Sequence, residues 1–137
     1  MTAEAKRKVL IADDMKDIVE TLSFCLRQQG YEVLIAFDGE QALRVARAEE
    51  PDLMVLDVMM PKENGYQVAR SVREDEKAGV ISKQTRILIL TARTTEKKRE
   101  DFLQTWSGAD AFIYKPFDLE EVLCRVGDLL KPQIPAA

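Results

Sequence analysis

"DLMVLDVMMPKENG", residues 52–65, is an apolar run that stops at an acid. Leu53, Met54, Val55 and Leu56 read as a buried strand, and Pro51 leads into it. Asp57 follows, then more apolar residues and a Pro-Lys-Glu-Asn-Gly turn at 61–65. A core strand that ends in a carboxylate needs a reason, because burying an unpaired charge is costly.

The same pattern repeats along the chain. Residues 9–12 (VLIA) form an apolar run, and 17–29 then place Ile18, Val19, Leu22, Cys25 and Leu26 at helical spacing up to Gly30, which ends the helix. Residues 31–37 are β-like, and Asp38 caps a helix that buries Ala42, Leu43, Val45 and Ala46. Asn64-Gly65 precedes a helix carrying Tyr66, Val68, Ala69 and Val72. Residues 86–90 are a fourth strand, and the irregular connection before it, 74–85, has room for an extra helical turn. Thr94-Thr95 cap a helix that runs to about Trp106 and closes at Gly108. A fifth strand spans 111–114, and Asp118 caps a last helix to about Leu130. The tail, 131–137, carries two prolines and reads as frayed.

Five strands alternating with five helices predict an α/β fold, a doubly wound parallel sheet with helices on both faces. Near-continuous apolar strands agree, since a strand covered on both sides needs no polar face. The length of 137 residues fits one domain, 1–137, with a core from about 8 to 130.

Composition narrows the function. A 46% hydrophobic and 32% charged chain fits a soluble globular protein. The net charge of −4 argues against a direct nucleic-acid partner or an anionic membrane. No apolar run approaches the roughly 20 residues of a membrane span. The charged start, MTAEAKRK, lacks the apolar core of a signal peptide, so a cytoplasmic location is expected. Cys25 and Cys124 read as buried free thiols. With no histidine, imidazole general-base catalysis and the commonest zinc ligand are both excluded.

The strand ends carry the chemistry. The first strand meets Asp13-Asp14, the third meets Asp57, the fourth Thr91 and the fifth Lys115. In an open parallel sheet these ends share one edge, where ligands bind. Each residue alone has an ordinary explanation: a helix cap, a turn, a strand hydroxyl, a solvated lysine. Together they gather three carboxylates, a hydroxyl and an ammonium. Three like charges repel, and one lysine cannot balance them. An all-oxygen set selects a hard, partly hydrated divalent ion, Mg²⁺ or Mn²⁺, with an open position for a phosphate oxygen. Lys115 and Thr91 also suit phosphate, and an Asp can itself be the nucleophile.

As an ordered set, VLIADD (9–14), LMVLDVMMPKENG (53–65), LILTA (88–92) and FIYKPF (112–117) resemble the receiver domains of bacterial two-component response regulators. The resemblance implies a flavodoxin-like sheet of strand order 2-1-3-4-5. It makes Asp57 the phospho-acceptor. Asp13, Asp14, Asp57 and the Met59 backbone carbonyl become the metal ligands, with Thr91 as the phosphoryl-sensing hydroxyl and Lys115 as its cationic companion. It implies a cis Lys115-Pro116 bond and places Phe112 at the switch-aromatic position, where the missing phenol hydroxyl removes one signalling hydrogen bond. Met59 and Arg93 fall at positions that tune phosphoryl lifetime in the family. Met59 cannot orient a water and Arg93 can screen the phosphate, so slow self-dephosphorylation is expected. The implied partners are a histidine kinase or histidine phosphotransfer protein as donor, and a downstream effector or a second copy docking on the fourth helix, fifth strand and fifth helix.

Other readings compete. A Mg²⁺-dependent phosphatase of the haloacid dehalogenase type also uses an Asp nucleophile, but usually carries a second Asp two residues later, where this chain has Met59. A flavin-binding protein would need an uncharged phosphate loop after the first strand, where Asp13 and Asp14 stand. Lys97-Lys98-Arg99 reads as a solvated helix face, Trp106 as a half-buried anchor, and Met54, Met59 and Met60 as filler in core and loop.

Overall fold

The computed structural model describes residues 6–92 and 94–131. Among them, strands and helices alternate as β1 (Lys8–Ala12), α1 (Lys16–Gln28), β2 (Glu32–Ala36), α2 (Gly39–Glu49), β3 (Leu53–Asp57), α3 (Gly65–Ala78), β4 (Arg86–Ala92), α4 (Lys97–Ser107), β5 (Ala111–Lys115) and α5 (Leu119–Leu130). The sheet runs β2-β1-β3-β4-β5 with every pairing parallel. β3 is central, and all five of its residues are buried, which is why the opening stretch carries no polar face.

Alternation along the strands divides the core in two. Val9, Ile11, Val55, Leu88 and Ile113 face α1 and α5, meeting Leu22, Leu26, Val122 and Val126. Leu10, Met54, Leu56, Ile87 and Ile89 face α2, α3 and α4, meeting Ala42, Val68, Val72 and the partly buried Leu103. Val45, expected in the core, is half-buried at the margin of this second layer.

Local chemistry sets the helix ends. Asp38 accepts from the Gln41 N–H at 2.8 Å. Asn64 and Gln67 form a reciprocal capping box at the start of α3. Gly30 and Gly108 take positive φ where α1 and α4 stop. The additional turn anticipated within 74–85 is the end of α3, which continues to Ala78.

Four expectations need correction. α4 begins at Lys97 with Glu96 at the N-cap position; the Thr94 hydroxyl instead accepts from Glu96 N–H in the preceding turn. Asp118 occupies the cap position of α5, yet its side chain makes no cap hydrogen bond. β4 extends past Leu90 through Ala92, so Thr91 lies inside the strand rather than beyond it. The cysteines are free but not buried: Cys25 is partly covered and Cys124 is exposed, because each lies beside its helix's apolar stripe rather than within it.

α4 is held unevenly. At its C-terminal end Arg73 of α3 donates to the carbonyls of Gly108 (2.9 Å) and Thr85 (2.8 Å) and to Asp110 (2.8 Å). Asp110 in turn accepts from Ile87 N–H. Arg70 lies over the Trp106 ring, 5.7 Å from its centroid, and donates to the Trp106 carbonyl. That makes Trp106 the half-buried anchor its sequence context implied. At the other end the cap lacks a side-chain hydrogen bond, and within α4 only Glu100 and Ser107 are fully buried. Lys97, Lys98 and Arg99 are exposed, as a solvated face should be.

Candidate functional site

The C-terminal ends of β1, β3, β4 and β5 bring the marked residues into one cleft. Asp13 leaves β1 and its Oδ1 accepts from the Met15 N–H at 2.9 Å, a tight turn that sends Asp14 outward. Asp57 closes β3 with 2% of its surface exposed. Asp13, Asp14 and Asp57 each present a carboxylate oxygen, all within 4.8 Å of one another.

Two glycines permit this geometry. A Cβ on Gly65 would sit 2.7 Å from the Asp57 carbonyl oxygen and 3.1 Å from the Val58 Cα. Only glycine lets α3 begin against the end of β3. A Cβ on Gly39 would collide with the Glu63 carbonyl, so the loop after Asp57 also rests against the start of α2.

Electrostatics divide the acids. Lys115 Nζ donates to Asp57 Oδ1 at 2.7 Å, and the Met59 N–H reaches the same oxygen at 3.3 Å. Asp57 is thus paired although buried, which answers the question posed by its place at the strand end. Among the described residues Asp13 makes no ion pair of that kind. Burial pushes its carboxyl up to about 6; the Met15 N–H opposes this, and the Asp57 charge adds to it. Among the described residues its buried Oδ2 has no hydrogen-bond partner. An orphaned carboxylate oxygen beside two further carboxylates fits a hard divalent cation in both charge and donor type. Asp13, Asp14 and Asp57 could hold one.

Thr91 is 5% exposed and aligned with Tyr114 of β5. Its Oγ1 lies 3.3 Å from the Tyr66 hydroxyl and 3.4 Å from the Ala92 carbonyl. Phe112 is half-buried against the second core layer, aligned with Ile89. The Lys115-Pro116 peptide bond is cis, as the resemblance implied. Met59 is 72% exposed, so its side chain is not core filler, whereas Met54 and Met60 are buried. Arg93 lies outside the described residues. A cavity of about 300 Å³ opens beside Thr91, between the loop after β3 and α4, lined in part by Met59, Tyr66, Glu100 and Leu103.

Tyr66 is the site residue that sequence reasoning missed. Its place in the helical pattern marked it only as apolar. The available signal was its phenol, since a buried tyrosine hydroxyl needs a partner; the partner, 25 residues further on, was not legible.

Residues 9–127 match the response regulator receiver domain family. The chain is 40% identical over 125 residues to the alkaline phosphatase synthesis transcriptional regulatory protein PhoP of Bacillus subtilis, covering 91% of this chain and 49% of that protein. It therefore spans about half the length of this curated relative. Among solved structures, the chemotaxis response regulator CheY4 of Vibrio cholerae is 32% identical, with a TM-score of 0.79 over 92% of this chain and all of the other. The response regulator DrrB of Thermotoga maritima, an OmpR/PhoB homolog, is 30% identical, with a TM-score of 0.77 over 92% of this chain and 53% of that one.

Proposed function

The chain belongs to the response regulator receiver domain family, and from that premise we propose that Asp57 accepts a phosphoryl group from a partner's phosphohistidine. The observation that carries this reading is the buried Asp57 carboxylate, set 2.7 Å from the Lys115 ammonium and within 4.8 Å of two further acids. In the transfer a carboxylate oxygen of Asp57 forms the new O–P bond while the N–P bond to the donor imidazole breaks. The donor is a histidine kinase or histidine phosphotransfer protein, since the 137 residues of the receiver contain no histidine to carry the phosphoryl group themselves.

Asp13, Asp14, Asp57 and the Met59 carbonyl would hold Mg²⁺, or Mn²⁺ in its place. Such an ion supplies charge neutralisation for the transferring group. Lys115, 2.7 Å from the Asp57 carboxylate, pairs with the phosphoryl oxygens once Asp57 carries the acyl phosphate. Thr91 turns its hydroxyl to the phosphoryl group, and Phe112 follows by burying its ring. The surface formed by α4, β5 and α5 is then the face offered to an effector or to a second copy. With Met59 solvent-facing and unable to orient a water, the acyl phosphate is long-lived.

The haloacid dehalogenase alternative lacks support, since no second acid follows Asp57 at the required position and the matching family is the receiver. Among the described residues no helix is long and apolar enough to cross a membrane. The test is incubation with a small acyl phosphate and Mg²⁺, read by intact mass. One phosphoryl group on the wild type and none on Asp57→Asn is the expected result. Equal labelling of both would overturn the assignment.

A further inference from the structure

We propose that Tyr66 restrains the switch: its hydroxyl holds Thr91 turned away from Asp57 and must release it before Thr91 can engage a phosphoryl group. This rests on the phospho-acceptor reading of Asp57.

The restraint follows from proton accounting at two buried hydroxyls. Thr91 has a single hydroxyl proton, and the Ala92 carbonyl, which can only accept, stands 3.4 Å from Oγ1. The 3.3 Å contact to Tyr66 lets either hydroxyl donate: with the proton on the Ala92 carbonyl the phenol donates, and in the other direction Tyr66 itself holds the Thr91 proton. Thr91 can therefore donate to a phosphoryl oxygen only by rotating, which gives up both contacts. Tyr66 is 4% exposed, so its hydroxyl does not regain bulk water when Thr91 leaves. Losing a partner there opposes the switched state.

The surroundings make this a specific restraint and not general packing. Tyr66 sits one residue after Gly65, whose backbone is pressed against Asp57, and the Asn64–Gln67 box fixes that end of α3. The phenol is thus referenced to the acceptor loop itself. Tyr66, Thr91 and the buried carboxylate of Glu100 all line the same cavity beside α4. Phe112 lacks a hydroxyl and makes no such contact, so this polar restraint reaches Thr91 from α3.

The experiment measures beryllofluoride affinity, in saturating Mg²⁺, for wild type, Tyr66→Phe, Thr91→Ala and the double variant. It is combined with ¹³Cζ-tyrosine NMR of the wild type. Tyr66→Phe keeps the ring and should tighten binding about threefold, the low end for a neutral hydrogen bond since 3.3 Å is long. In the Thr91→Ala background the same substitution should change nothing, because the hydroxyl acts through Thr91. The Tyr66 ¹³Cζ resonance should move on beryllofluoride binding. Equal effects in both backgrounds, weaker binding by Tyr66→Phe, or a silent Tyr66 resonance would each overturn the restraint while leaving the phospho-acceptor reading intact. Failure of the wild type to bind beryllofluoride at all would overturn that reading and this inference together.

Discussion

Replacing Asp13 by Asn should make the metal-free protein more stable. The amide keeps an oxygen to accept the Met15 N–H and turns a donor toward the Asp57 side, where a repelling charge stood. In the native state the Asp13 carboxyl is raised from 3.8 to about 6. A shift of that size corresponds to about 3 kcal/mol in favour of the protonated form. The neighbouring Asp14 is exposed and the cleft admits solvent, so about 1–2 kcal/mol is the realistic penalty. The fold binds this proton more tightly than the unfolded chain does. The penalty is therefore absent below about pH 4, grows as pH rises, and is complete only above about pH 6. For a chain of this size the variant should melt about 3–8 °C higher above about pH 7 and no higher near pH 4. Added Mg²⁺ should raise the wild-type melting temperature and close much of the gap. Thermal unfolding followed by circular dichroism at the two pH values, with and without Mg²⁺, decides the matter. A variant no more stable than wild type at neutral pH would refute the reasoning. So would an advantage that persists unchanged at pH 4, since the gain would then have nothing to do with ionisation.

Gly65→Ala should cost about 1–3 kcal/mol in urea denaturation despite alanine's better helix propensity, because the new methyl meets backbone at Asp57 and Val58, which cannot move aside as a side chain could. Arg73→Ala removes a mostly buried guanidinium that satisfies two carbonyls and two carboxylates, and should cost about 2–4 kcal/mol by the same assay. Thr91→Ala should still gain a phosphoryl group on Asp57 by intact mass, yet its amide-exchange pattern over residues 94–115 should respond weakly to beryllofluoride.

The fold was legible because periodicity and strand ends carry direct physical meaning. Runs as short as LMVL and ILIL, bounded by turn and helix signals, read as doubly covered strands, and the alternation with helical patterns leaves few topologies. The strand order itself came through the resemblance. Asp13, Asp14, Asp57 and Lys115 could be placed in one cleft because a parallel sheet puts its carboxyl ends together. What could not be read was who touches whom. That Lys115 pairs with Asp57 while Asp13 is left with an unpartnered oxygen depends on ångström-scale placement. The Tyr66–Thr91 contact joins a helix to a strand 25 residues away, and no local pattern encodes it. The start of α4 was misplaced because a threonine that caps a helix and one that closes the turn before it present the same residue type.

The uneven fastening of α4 has a mechanical consequence. Its far end is pinned through Arg73 and Arg70 to α3 and to the entry of β4, while at the end beside Thr91 the cap position makes no side-chain hydrogen bond. A rod fixed at one end and loose at the other does not slide; it swings. The Trp106–Gly108 corner is the fulcrum, and the roughly 16 Å of helix between it and Lys97 is the lever arm. On the proposed switch, a small displacement next to Thr91 would tilt α4 about that corner, and its solvent face, including the 65%-exposed Phe102, would be re-aimed without any change in what that face is made of.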